Sequence, residues 1–566
     1  MSPVAPELER EESHPEKIRK DCEITGWRIR LYYWSRNPHI LGWAAVAIVS
    51  IGILCGYLSQ PADAKGNLAK AIEHLRTKFI ANMDGTTGRT ELAAELLAPS
   101  PGIGRTLASL RFCNSTDEKT VTTVTQALQA SRLQPEEKNL ALAYWTSLCS
   151  HLGEPGADLL YFAHQPQPQP YANELVGDFY SSHPKKFERT HAHFERELKV
   201  RPDAREVRRK IVGLHWEKQD FATLATLRRE PAYAALFDAR MSFEISRHQH
   251  NWPGVWSSVL ALEKDSFSDR IPLILTAVAG AVWLVLAWQM GQPRGFFSFR
   301  IWAPLIAIPL GAASTLPVLF LDVYESEMWG LKHTGLFFED CLFFLAGVGV
   351  REELCKLLFF FVPFLPVLLR RKCRLEMLLV AGAVGLGFAI EENINYFRVA
   401  APSQAFARFL TANFFHFAAT GIIGLSLCDA IREFRTKWWH FPAAFVSVAA
   451  AHGFYDAFGS VPAYLFTALA LSCFILLSLV FFRQVARERG PATDQMFPAA
   501  TLVLGLAVLV ATILTCASSE FGLSFALDAV WEGGLSLGVF VYMFFVLFRD
   551  GLHEDEPLPP VNFEPL

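Results

Sequence analysis

Runs of about twenty apolar residues, recurring over most of the chain, constrain what it can fold into. The first is Ile40–Leu58. The others are approximately Ile271–Met290, Ile301–Leu321, Val350–Leu369, Met377–Phe397, Phe409–Ile431, Phe441–Phe458, Tyr464–Phe482, Phe497–Cys516 and Leu535–Phe548. A helical run of that length matches the hydrocarbon thickness of a bilayer, and in lipid a helix satisfies its own backbone polar groups. The expectation is an all-α, polytopic membrane protein of about ten transmembrane helices. Hydrophobic residues are 51% of the 566, and their blockwise distribution overrides the three or four soluble domains that length alone suggests. A formal net charge of −4 offers no basic surface for nucleic acid. The ten cysteines include no CxxC pair, which argues against a thiolate metal site.

Lys65–Asp269 is a different material, polar and without any such run. Helical periodicity dominates it, as in Asn67–Met83, Glu118–Leu133, Glu136–Leu152 and Ala204–Lys218. Lys218-Gln-Asp220-Phe221 and Gln249-His-Asn251-Trp252 recur at an offset of 31 residues, each joining two predicted helices. That period suits a helical-repeat, tetratricopeptide-like domain. The Gln-Pro alternation from Gln165 to Pro170 predicts an extended break between subdomains. Cys113 and Cys149 are the only cysteines of this region; a disulfide between them and two buried thiols are equally compatible readings.

Basic residues alternate between loops. One side has Arg294 and Arg300; Arg370, Arg371, Lys372 and Arg374; Arg432, Arg435 and Lys437; Arg483, Arg487 and Arg489. The other side has only Lys332, Arg351, Arg398 and Arg408. The positive-inside rule then places both termini in the cytoplasm; the expected location is a bacterial plasma (inner) membrane. The expected organisation is a cytoplasmic segment 1–39, a first transmembrane helix 40–58, and an extracytoplasmic helical domain 59–270. Two transmembrane helices and an outer loop follow at 271–334, then a core at 335–458, transmembrane helices at 459–549 and a cytoplasmic tail at 550–566. The apolar segment Gly335–Gly349 is short and carries Glu339 and Asp340, so it reads either as a re-entrant piece or as an extension of the next helix.

Charges inside four consecutive spans single out the core. They are Glu352-Glu353-Leu-Cys-Lys356, then Gly387-Phe388-Ala-Ile-Glu391-Glu392-Asn393, then His416 with Thr420, and His452-Gly-Phe-Tyr-Asp456. An ionised side chain at mid-bilayer costs roughly 2.5–3.5 kcal/mol on insertion scales, so such residues usually line a functional cavity. Helical spacing pairs Glu352 and Glu353 with Lys356, His416 with Thr420, and His452 with Asp456. Each pair alone would also suit a buried ion pair or an interhelix contact. Four in order favour a shared site.

EExxK, FxxxEN, a lone intramembrane His and HxxxD, on successive helices from about Leu336 to Phe458, resemble the PrsW family of intramembrane proteases. The related CAAX-processing and bacteriocin-processing proteases carry EExxxR, FxxxH and HxxxN instead. The resemblance implies an intramembrane endopeptidase, of glutamic or metallo type, that cuts membrane-anchored, anti-sigma-like proteins near the outer face of the membrane. It implies Glu352 as the water-activating base, with Glu353 and Lys356 orienting it. His416 and His452 would share proton transfer and oxyanion stabilisation, Asp456 would hold the His452 tautomer, and Glu392 would place the water or a metal. A zinc site from Glu392, His416, His452 and Asp456 and a metal-free Glu/His mechanism are both compatible with the set. Glu391, off the motif register, is expected to face headgroups. The outer domain would be a platform for a protein partner. Other classes are a proton-coupled transporter and a receptor or scaffold using the outer domain. No inverted repeat accompanies the first, and the intact motifs weigh against the second.

Overall fold

The computed structural model describes residues 26–59, 102–112, 118–150, 154–181, 186–293, 295–399, 403–460, 464–489 and 497–550. They are helical, with no strand among the described residues. Two compact units emerge, Met1–Ala71 with Glu263–Leu566, and Ile72–Leu262.

In the first unit, a short helix Gly26–Arg36 leads into α1, Pro38–Ser59. After the second unit come α2 Arg270–Gly291, α3 Phe299–Ala313, α4 Thr315–Trp329 and α5 Phe337–Leu342. A π-helical segment, Phe343–Val350, carries α5 directly into α6, Arg351–Arg371. The rest are α7 Arg374–Val399, α8 Ser403–Leu410, α9 Ala412–Arg432, α10 His440–Ser460, α11 Tyr464–Glu488, α12 Pro498–Phe521 and α13 Leu523–Asp550.

Helices occupy all ten expected places. Seven of those among the described residues are long and apolar enough to cross a membrane. Two that fall short, α6 and α10, carry Glu352, Glu353 and Lys356 or His452 and Asp456, whose polarity lowers the hydropathy of an otherwise apolar helix. Gly335–Gly349 proves to be an extension of the following helix, not a re-entrant piece. Asp340 explains one of its charges: the carboxylate accepts the backbone N–H of Thr334 at 2.7 Å and of Gly335 at 3.1 Å, closing the turn before α5.

The centre of this unit is α7, whose apolar window is 89% buried, with α9 at 78%; α1, at 11%, is peripheral and packs on α12. Glycines set the closest crossings. A Cβ on Gly385 of α7 would collide with the His416 carbonyl of α9, and one on Gly349 would collide with the Ala449 carbonyl of α10. The π segment and α10 therefore meet backbone to backbone beside Glu352 and His452. Arg351 fastens the same corner, donating to Glu325 at 2.7 Å and pairing with Asp322 at 2.9 Å, both on α4.

The second unit has two apolar cores. The first spans the Gln165–Pro170 stretch, because Leu175 and Val176 beyond it pack with Leu140 and Trp145 before it. The expected subdomain break therefore does not fall there. The 31-residue repeat is visible in the backbone. Gln219 and His250 both have left-handed φ, 56° and 51°. Asp220 N–H donates to the His215 carbonyl and Asn251 N–H to that of Ser246, both at 2.9 Å. Asp220 caps Thr223 at 3.1 Å, and Asn251 caps Gly254 at 3.3 Å. Cys149 is a half-buried thiol. Cys113, like the predicted helix at Asn67–Met83, lies outside the described residues.

Candidate active site

Four helices bring the charged side chains of the core together. Lys356, wholly buried on α6, directs its ammonium to three acceptors: Glu352 Oε2 at 3.1 Å, Glu353 Oε1 at 3.0 Å and His416 Nδ1 at 2.8 Å. These use all three of its donors. The Phe388 ring lies 3.9 Å from Nζ. Because an ammonium only donates, His416 Nδ1 must accept. The His416 proton is then on Nε2, which meets Glu392 Oε2 at 3.1 Å.

Glu353 is equally buried, and both its oxygens are used. Oε1 also accepts from His452 Nδ1 at 3.0 Å, and Oε2 accepts from the Thr420 hydroxyl at 3.0 Å. The His452 proton is accordingly on Nδ1. Its Nε2 faces Glu352 Oε2 at 3.6 Å and Asp456 Oδ2 at 3.5 Å, both longer than a good direct hydrogen bond. Side-chain exposure rises outward from this hub, from 0% at Glu353 to 11% at Glu352, 26% at Glu392 and 31% at Asp456.

All seven residues expected from the sequence fall in this one cluster, but one stands in a place that differs from the role expected. The carboxylate on Nδ1 of His452 is that of Glu353, not Asp456. Glu392 Oε2 accepts the Nε2–H of His416. Glu391 is buried against Glu263 and Thr315 and is not solvent-facing, since it lies about a quarter-turn round α7 from Glu392. The residues with donor atoms within 4.8 Å of one another are Glu352, His416 and His452, a group that can hold a metal ion. That set shares its two histidines with the expected one and replaces Glu392 and Asp456 by Glu352.

Sequence reasoning missed Arg408, which it read as a loop charge. From α8 its Nη2 donates to Glu392 Oε2 at 2.7 Å, and its Nε bonds Asn393 Oδ1. Asn393 Nδ2 in turn donates to Asn413 Oδ1 at 2.6 Å. The available signal was weak: a lone arginine eight residues before His416 and just ahead of an apolar run.

Residues 300–483 match the family model described as PrsW family intramembrane metalloprotease. The chain carries a PrsW family protease domain. It is thus a peptidase, a hydrolase of peptide bonds, held in the bilayer by several spans. The PrsW match covers about a third of the chain, reaching beyond the four motif helices to α3, α4 and most of α11. That extension has a structural reason, since α3 packs along α7 and α11 along α10. No curated protein and no solved structure matches the chain.

The hub makes a stability difference testable. Glu353→Gln removes the charge that Lys356 and His452 share inside the fold, a loss of about 3–5 kcal/mol for an uncompensated buried charge. Glu352→Gln leaves Glu353 in place and should cost clearly less. Thermal unfolding of the two purified full-length variants in detergent compares them. Equal midpoints would contradict the assignment of Glu353 as the structural hub.

Proposed function

We propose that the chain is an intramembrane endopeptidase acting on membrane-anchored, regulatory proteins, with Glu352 as the base that activates water. The supporting observation is the partly accessible Glu352 carboxylate 3.6 Å from Nε2 of His452, whose other nitrogen is held by Glu353. Glu352 takes a proton from water, and the hydroxide formed attacks the scissile carbonyl carbon. The proton passes to His452 Nε2, and the imidazolium is stabilised by Glu353 against Nδ1. On collapse of the tetrahedral intermediate, His452 Nε2–H protonates the leaving amine. The Lys356 ammonium supplies positive potential at the centre and holds Glu352 and His416 in register. Asp456, at the outer edge, orients what enters beside His452.

The donor set fits zinc. Each histidine gives one N–H to a carboxylate, His452 to Glu353 and His416 to Glu392, as metal-ligating histidines do. Two imidazoles and a carboxylate form an open three-ligand site of the kind that catalytic zinc uses. In this alternative mode Glu352, His416 and His452 would hold the ion in place of the base and acid roles given to Glu352 and His452 above, and Lys356 would have to release Nδ1 of His416. When bound, zinc would lower the pKa of a water and polarise the carbonyl.

Both termini are assigned to the cytoplasm of a bacterial inner membrane, which puts the site in the outer half of the bilayer. The helical unit then lies outside, as a tetratricopeptide-like platform for substrate or partner. The basic-loop alternation and the matching 31-residue corners support this reading. All ten helices are taken as spans, including the three outside the seven.

Glu352→Gln keeps size and hydrogen bonding but removes the base, so cleavage of membrane-protein substrates should fall by ~100-fold or more at unchanged protein level. Metal analysis of purified wild type decides between the two modes, and zinc that is depleted in His416→Ala and His452→Ala supports the metal. A normal rate in Glu352→Gln would refute the base assignment, and zinc-free protein of full activity would refute the metal. Orientation is read separately with cysteine probes: Thr436→Cys should label only from the cytoplasm and Ser403→Cys only from outside. The reverse pattern would move the site to the inner half.

A further inference from the structure

We propose that Arg408 is a positioning residue of the protease centre, whose guanidinium locks Glu392 and Asn393 and through Glu392 fixes the ring of His416. This rests on the protease reading above. Glu392 and Asn393 are consecutive on α7, and a planar guanidinium reaches both from α8, with Nη2 on the first and Nε on the second. Each of the two is then tied to α9. Glu392 Oε2 takes the His416 Nε2–H at 3.1 Å, and Asn393 donates to Asn413, three residues before His416. Asn393 and Asn413 are fully buried. The Tyr396 ring, 3.7 Å from the guanidinium carbon, holds the fork flat from one side.

The consequence lies in the order of bonds. Arg408 and His416 share one oxygen, Oε2 of Glu392, so the arginine sets the carboxylate rotamer that the imidazole needs. Without it the carboxylate is free to turn toward its exposed side. The His416 Nε2–H then loses its acceptor, and the ring is no longer held with Nδ1 on Lys356. A lysine at 408 has the charge but not the fork, so it can serve Glu392 or Asn393 and not both.

Histidine 15N NMR of the full-length protein in nanodiscs tests this, with His416 assigned by the signal missing in His416→Gln. Wild type should show His416 protonated at Nε2 alone. Arg408→Gln should lose that signature, and Arg408→Lys should show it weakened or averaged. Cleavage by both variants should fall roughly 10- to 100-fold, the usual cost of removing the polar partners behind a metal-ligating type of histidine, and the loss should be in kcat, not KM. Glu392→Gln combined with Arg408→Gln should be no worse than the poorer single variant. The NMR signature is independent of cleavage, so a wild-type protein that cuts nothing but shows the Arg408 effect would sink the protease reading and leave this one standing. An unchanged His416 signal in folded Arg408→Gln would overturn it; if that variant does not fold, an unchanged signal and rate in Arg408→Lys would do the same.

Discussion

A buried ammonium can survive only where every donor has an acceptor and the surrounding carboxylates offset its desolvation. Lys356 meets that condition with two glutamates from its own helix and a histidine from α9. The second glutamate reaches onward to α10 through His452 and back to α9 through Thr420. Three helices are thus joined at one charge. Any slip of α6 against α9 or α10 would strand that charge, so the register of these helices is fixed by electrostatics as well as by packing.

Close packing makes the arrangement reachable. Short side chains span these distances because the helices approach to backbone contact at Gly385 and Gly349. The π-helical turn before Arg351 rotates the start of α6 within a continuous helix, and the Arg351 pairs with Glu325 and Asp322 hold that rotation. Irregular helix beside a polar centre is a common arrangement at functional sites. Side-chain exposure at the centre is greatest at Asp456 and Glu392 and falls to 11% at Glu352 and 2% at His452.

Much of this was legible in the sequence because membranes simplify the code. Twenty apolar residues specify a helix, and charges within them are costly enough to mark a shared cavity. The spacing Glu352–Lys356 and Glu353–Lys356 translates directly into contact because it lies within one helix. Contacts between helices were not legible in that way. The choice of Glu353 over Asp456 for Nδ1 of His452 depends on the crossing of α6 and α10, which spacing within α10 cannot reveal. Arg408 was hidden for the same reason: its partners lie 15 and 16 residues away on another helix. Glu391 and Glu392 are adjacent in sequence, yet the helix gives them different partners, Glu263 and Thr315 for the first and Arg408 and His416 for the second. In the outer unit the Asp220 and Asn251 corners were recognisable because each is a local turn, whereas the division into two cores depends on long-range packing.

The central claim is that a water activated at Glu352 cuts peptide bonds of membrane proteins. The direct measurement is the set of new C-termini in membranes from cells, with the final incubation in 18O-labelled water. Wild-type membranes should yield new C-termini in or beside apolar spans, each carrying a single 18O in its carboxyl, and these should be missing from membranes containing Glu352→Gln. The same labelled termini in both would contradict the account.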